Sequence, residues 1–189
     1  KEGNRTTLAD ALHQSGAAAE AEQWFREAEA MQKKSQPGYP FLYSLRGYQF
    51  CDLLLENHAR TPIPGQAQEV MARAEKFFEW RLPSDSLLDI SLDNLIAGRA
   101  WMIWALEKTS KEPPPGDRFS RAMTTLQQAV EGLRKAHVED YLVRGLLARA
   151  ECYRHMKDFA NAHDDLFEAR EIAELGHMKL FLCDFHLEA

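Results

Sequence analysis

Two stretches decide how this chain folds: Leu146-Leu-Ala-Arg-Ala150-Glu-Cys-Tyr153 and, shortly after it, Phe159-Ala-Asn-Ala162-His-Asp-Asp-Leu166-Phe-Glu-Ala169. The second places Ala162, Leu166 and Ala169 on one face of an α-helix, because residues three and four apart align there. Two small residues on a face let a neighbouring helix approach closely, and the large residue between them fills the gap. The same triad recurs as Ala21/Phe25/Ala28, Ala67/Met71/Ala74 and Ala122/Leu126/Ala129. Upstream of each triad lies a small residue followed by a large apolar one a turn later: Ala9/Leu12, Gly47/Phe50, Ala100/Ile103 and Ala150/Tyr153. Each unit therefore reads as a pair of helices, and nothing in the chain reads as a strand.

The two helices of a pair are not evenly spaced along the chain. In the first and last units 12 residues separate the small residue from the triad, which leaves tight turns at Ser15-Gly16 and Lys157-Asp158. In the middle units the separation is 20 and 22, across His58 to Gly65 and Thr109 to Asp117, where proline and glycine stop helices. Pro113 to Pro115 reads as part of a stiff loop rather than as a ligand for an SH3-like partner. The pattern predicts about nine helices, near 4–15, 18–34, 40–57, 65–81, 85–108, 117–136, 140–156, 159–175 and 178–189. They form four pairs, about 4–34, 40–81, 85–136 and 140–175, plus a single helix over 178–189. Ser84 or Asp85 and Asp158 are the N-cap candidates, and Gly176 follows the last residue of a periodic stretch.

Composition limits the function. With 189 residues and 45% apolar content the chain can build its own core, and a mean hydropathy of -0.46 with 28% charged residues describes a soluble protein. No apolar run reaches the length of a membrane span, so no membrane association is expected. The net charge of -6 argues against nucleic acid as a partner. Cys51, Cys152 and Cys183 are far apart and form no CxxC pair, which points to buried thiols in a reducing cytoplasm. His155 and His163 with Asp164 and Asp165 form no HExxH-like ligand set, and neither GxxxxGK[ST], GxGxxG nor GxSxG occurs. The expectation is a chain that is not an enzyme and uses no metal or other cofactor. The chain begins without Met and stops inside an apolar-periodic segment, which suggests a fragment of a larger protein.

The helix pairs resemble tetratricopeptide repeats. Leu146, Ala150, Tyr153, Phe159, Ala162, Leu166 and Ala169 stand at the family's signature spacing, and Leu8, Ala9, Leu12, Gly16, Ala21, Phe25 and Ala28 follow it. Units two and three match in their helices and depart in their loops. Successive triads lie 46, 55 and 40 residues apart, against about 34 in the standard repeat. This departure, with Gly145-Leu-Leu-Ala-Arg-Ala150 and Asp164-Asp-Leu-Phe-Glu-Ala169, resembles the divergent repeats carboxy-terminal to the ATPase module of bacterial STAND-type signalling proteins. The resemblance implies an all-α, antiparallel helix-pair solenoid in a single domain, curling into a superhelix with a concave face. It implies a non-catalytic scaffold or sensor module that binds a protein or peptide. The alternative is a solenoid that senses a small effector, as in some bacterial transcription activators, with Trp101, Trp104 and Tyr48 lining the pocket.

In such repeats the first helix of each pair lines the concave face. By that resemblance the candidate binding residues are Asp10 and His13, Tyr48 and Asp52, Trp101 and Trp104, and Glu151, Arg154 and His155, accompanied by Thr6, Ser44, Cys51, Asn94, Ala97, Arg144 and Leu147. Trp, Tyr and Arg are the commonest hot-spot residues. The two tryptophans suit equally a groove or packing beneath neighbouring helices. Thr6, Asp10 and Leu45 occupy positions where chaperone-binding members carry a cationic clamp, so the face suits a basic or apolar segment rather than an acidic tail. Met178, Phe181, Leu182, Phe185 and Ala189 form an apolar stripe on the last helix, which predicts a homodimer through that helix.

Overall fold

The computed structural model describes residues 2–107, 115–179 and 181. Among these the chain forms eight helices and no strand: α1 (Glu2–Gln14), α2 (Ala18–Ser35), α3 (Ser44–Arg60), α4 (Gln66–Trp80), α5 (Leu87–Leu106), α6 (Pro115–Ala136), α7 (Glu139–His155) and α8 (Phe159–Leu175). They divide into two compact units, Lys1–Trp80 with α1 to α4 and Arg81–Ala189 with α5 to α8. None of the described helices is long and apolar enough to cross a membrane.

In the first unit α1 packs on α2 and α3, and α3 packs on α2 and α4. The triads Ala21/Phe25/Ala28 and Ala67/Met71/Ala74 are buried as the spacing predicts. Phe25 stacks on Phe50 of α3 with ring centroids 5.2 Å apart. Gly47 fixes how closely α3 is approached, since a Cβ there would stand 2.5 Å from the Leu42 carbonyl oxygen and 3.0 Å from Phe77 Cζ.

In the second unit α5 and α6 run antiparallel, with Ser91 facing Gly132 and Gly98 facing Leu126. Leu126, the large member of the third triad, fills the space that Gly98 leaves open, and Ala122 and Ala129 beside it are fully buried. Gly145 of α7 sits against Val130 and Leu133 of α6. Ala162 and Ala169 of α8 are buried and Leu166 between them is half-buried.

The helix ends show where local chemistry overrode the expected boundaries. α5 is capped by Ser86, not by Ser84 or Asp85: Ser86 Oγ accepts from the Asp89 N–H at 3.1 Å and donates to Asp89 Oδ2 at 2.7 Å. Asp85 is occupied one turn earlier, accepting from the Leu82 N–H at 2.8 Å. Asp158 does cap α8, accepting from the Asn161 N–H at 3.3 Å. α6 begins at Pro115, two residues before the expected start, because a proline in the first helical turn loses no hydrogen bond. α3 starts at Ser44 rather than residue 40, since Pro37 and Pro40 keep the preceding residues out of the helix, and it continues to Arg60.

Three helices end in the same Schellman turn. After α1 the N–H groups of Gly16 and Ala17 reach back to the His13 and Leu12 carbonyls. Lys157 and Asp158 after α7, and His177 and Met178 after α8, repeat the pattern. The left-handed position is Gly16 in the first case but Lys157 (φ 63°) and His177 (φ 55°) in the others. Gly176, which follows the last residue of α8 as the periodic stretch indicated, is the C-cap with φ -80°. A Cβ there would come within 2.6 Å of Met178 Cε, the far end of a flexible side chain that can turn aside.

The expected helix over 178–189 falls largely outside the described residues, as do Leu182, Phe185 and Ala189 of its stripe, Cys183, Pro113 and Pro114. Of that stripe Met178 and Phe181 are half-buried, and the Arg144 guanidinium lies 5.3 Å from the centre of the Phe181 ring.

Gly98→Ala tests the helix joint. In a helix interior this change gains up to about 1 kcal/mol from backbone entropy. Here the new Cβ would lie 2.6 Å from Leu126 Cγ, so a net loss of about 1–3 kcal/mol is expected in urea unfolding. Gly3→Ala, with nothing within 4 Å of the new carbon, should show no loss.

The second unit also carries a titratable group that makes stability depend on pH. Asp93 of α5 is buried, 3.5 Å from Arg81 Nε, while Arg81 Nη2 donates to the Ile90 carbonyl and to Asn94 Oδ1, both at 3.1 Å. Burial pushes the Asp93 carboxyl up to about 7, against the lowering effect of Arg81 and with further raising by Asp89 and Asp85. The folded state thus holds a proton that the unfolded chain releases near pH 3.8, so this contribution to stability is present in acid and is lost as pH rises toward 7. Asp93→Asn should remove the slope. Its denaturation midpoint relative to the native chain is expected to be higher at pH 8 than at pH 5, and an unchanged difference would contradict the burial assignment.

Candidate binding surfaces

The first unit is tied together by a buried charge. Arg73 of α4 is almost wholly buried and donates from Nη1 to Glu29 Oε1 at 2.5 Å and from Nη2 to Glu29 Oε2 at 2.9 Å, with Glu69 Oε1 at 3.2 Å. Its guanidinium lies 4.7 Å from the Phe41 ring centre and 4.8 Å from that of Phe50. Burial alone would lower the pKa of this group, but the Glu29 hydrogen bond and the charges of Cys51, Glu29 and Glu69 outweigh it and raise it above the ordinary value. Glu29 Oε1 also accepts from the Leu42 N–H at 3.1 Å. Beside it, buried Gln32 donates from Nε2 to the Tyr39 carbonyl at 2.9 Å and to the Phe41 carbonyl. Two side chains of α2 therefore fix the backbone of the connection between α2 and α3.

What that connection presents outward is an aromatic platform. Tyr39 and Tyr43 are exposed and Trp80, the last residue of α4, is half-buried. Tyr39 meets Trp80 edge-on at 5.2 Å and Tyr43 at 5.6 Å, and Tyr43 meets Trp80 at 6.4 Å. Phe41 and Phe77 support Trp80 from below, each at 6.3 Å. Helical periodicity hides this site, because a helix begun at residue 40 disperses these rings over its surface. The signal is there all the same: the two prolines of Pro37-Gly-Tyr39-Pro40-Phe-Leu-Tyr43 mark a loop, and a loop with this many aromatic residues must either bury them or display them.

The residues expected on the first helix of each pair have diverse placements. In the first unit His13 is buried, with Nε2 3.0 Å from Glu56 Oε2 of α3, and Asp10 is half-buried. Thr6, Tyr48, Cys51 and Asp52 are buried, and Ser44 is half-buried at φ 57°. The structure thus brings His13 to α3 through Glu56, a partner that repeat spacing did not single out.

In the second unit Trp101 and Trp104 stack on each other at 5.1 Å, both half-buried. Arg121 of α6 covers Trp101 at 4.9 Å, and fully buried Arg118 covers Trp104 at 4.7 Å while donating to the Trp104 carbonyl at 2.6 Å. The tryptophan faces are therefore occupied by one another and by arginines of the paired helix. Asn94 and Ala97 are buried, whereas Arg144 and Leu147 are half-buried. Glu151 is half-buried, 3.9 Å from exposed His155, whose ring lies 6.1 Å from Phe119, and Arg154 is exposed. Next to them buried Arg149 makes a two-pronged contact with Asp165 of α8, at 2.8 and 2.7 Å, and reaches Gln127 of α6 at 2.6 Å. Although burial opposes its charge, the Asp165 contact raises the Arg149 pKa. Burial, with Glu151 adding to it, pushes the Cys152 thiol up to about 12, so it stays protonated at neutral pH. No group of three or more His, Cys, Asp or Glu side chains among the described residues is placed to hold a metal ion.

No protein-family model, curated protein or solved structure matches the chain.

The Arg73 contact should be the costliest in the first unit to break from one side. Arg73→Leu leaves Glu29 without its counter-charge and is expected to lose about 3–5 kcal/mol in chemical denaturation. The double variant Arg73→Leu, Glu29→Met should recover part of that loss, because no buried charge is then left unpaired. Equal stability of the single and double variants would contradict the role given to the pair.

Proposed function

We propose that this chain is a non-catalytic helical-repeat module, a tetratricopeptide-like solenoid, that binds a protein or peptide segment. Its setting on this reading is the scaffold or sensor region of a bacterial signalling protein in the cytoplasm. Four helix pairs, each carrying a small-large-small triad, are the features of a repeat architecture. The observation that carries the binding function is the platform of Tyr39, Tyr43 and Trp80: large amphipathic rings left accessible on a backbone that buried Gln32 and Glu29 hold in place. Rigid aromatic anchors of this kind bury area at low entropic cost.

The test is peptide-display selection on the whole chain, followed by affinity measurement with Tyr39→Ala, Trp80→Ala. The double variant should bind the selected peptides at least about 30-fold more weakly, corresponding to roughly 2 kcal/mol, with its helical circular dichroism retained. Failure to select any peptide, or selected peptides that bind the variant as well as the native chain, would overturn the assignment.

A further inference from the structure

Three properties of the Tyr39/Tyr43/Trp80 platform select among classes of partner. The first is size. An aromatic side chain buries about 150–250 Å², so with Tyr39 at 41% and Tyr43 at 43% exposure and Trp80 half-buried, roughly 200–300 Å² of ring surface is accessible. A stable dimer needs about 800 Å² from each side, so this is the footprint of a short extended segment and not of a second copy.

The second property is ring spacing. With centroids 5.2, 5.6 and 6.4 Å apart the three rings lean on one another, which leaves no space between them for an ammonium or guanidinium group. The platform is a ridge and not a cage. The third is hydrogen bonding. Among the described residues, the Tyr39 and Tyr43 hydroxyls and the Trp80 indole N–H have no partner. A docked helix could not use these donors along its length, because its carbonyls are already bonded within it. A polyproline II strand has all its carbonyls free and carries ring surface between them.

We propose that the platform binds a proline-rich segment in the polyproline II conformation, with pyrrolidine rings lying against Tyr39, Tyr43 and Trp80. The segment's carbonyls accept hydrogen bonds from the two hydroxyls and the indole. This assignment rests on the platform being the binding surface of the module.

The experiment titrates the ¹⁵N-labelled whole chain with an oligoproline of about eight residues, roughly 25 Å long, while following the indole resonance assigned by Trp80→Phe. A saturable shift with Kd below about 1 mM is expected. The Tyr39→Phe, Tyr43→Phe variant, which keeps both rings, should bind at least about fivefold more weakly, since it loses two hydrogen bonds. Comparators of equal length are a Gly-Ser peptide and an amphipathic helical peptide. If the oligoproline gives no saturable shift, gives one that Gly-Ser matches, or binds the Phe variant undiminished, the polyproline assignment falls. If the helical or a display-selected peptide shifts Trp80 while oligoproline does not, the platform remains a binding surface with another partner. If no peptide shifts Trp80, both readings fall.

Discussion

Both units depend on helices coming close enough that a side chain larger than alanine, or any side chain at all, would not fit between them. Gly98 against Leu126, Gly132 against Ser91 and Gly47 against Phe77 are close approaches of this kind. At Gly98 the gap is filled by the large Leu126, so that the dispersion attraction a side chain at the glycine would have supplied is recovered around Leu126. A glycine in a helix is locally unfavourable. Its presence at these joints means that packing between helices outweighs the propensity within them.

That hierarchy explains what the sequence could and could not reveal. The triads were legible because a small-large-small face at helical spacing has one economical structural meaning, and eleven of their twelve residues are buried. The helix ends were less legible. Ser84, Asp85 and Ser86 are all competent caps, and what selects Ser86 is the reciprocal bond with Asp89 together with the separate use of Asp85 at Leu82. Gly176 does follow the last residue of α8, but it is His177, a residue type that the sequence does not mark for it, that takes the left-handed backbone.

The candidate site was less legible still. Charged residues on a helix read as solvated face, and Arg73, Glu29, Arg149 and Asp165 are exceptions that only three-dimensional proximity discloses. Trp101 and Trp104 carried no mark telling which face they show. That Arg118 and Arg121 lie one turn apart on α6, like the tryptophans on α5, becomes informative only once the antiparallel register of the two helices is known. His13 likewise acquires a meaning from Glu56, which is far from it in sequence.

The buried knot and the aromatic platform of the first unit are not independent. Glu29 binds the Arg73 guanidinium and the Leu42 N–H with the same carboxylate, and Arg73 in turn lies against Phe41. Moving the connection between α2 and α3 would therefore strip one acceptor from Leu42 and uncover a guanidinium that burial has already separated from water. Breaking such a pair from one side costs far more than a surface hydrogen bond. The connection is held by a buried charge pair, although its outward side chains, Tyr39 and Tyr43, meet only each other and Trp80 as ring contacts. A loop built in this way has little conformational entropy left to lose on ordering, which is what the proposed docking of a segment on Tyr39 and Tyr43 calls for in residues outside any helix.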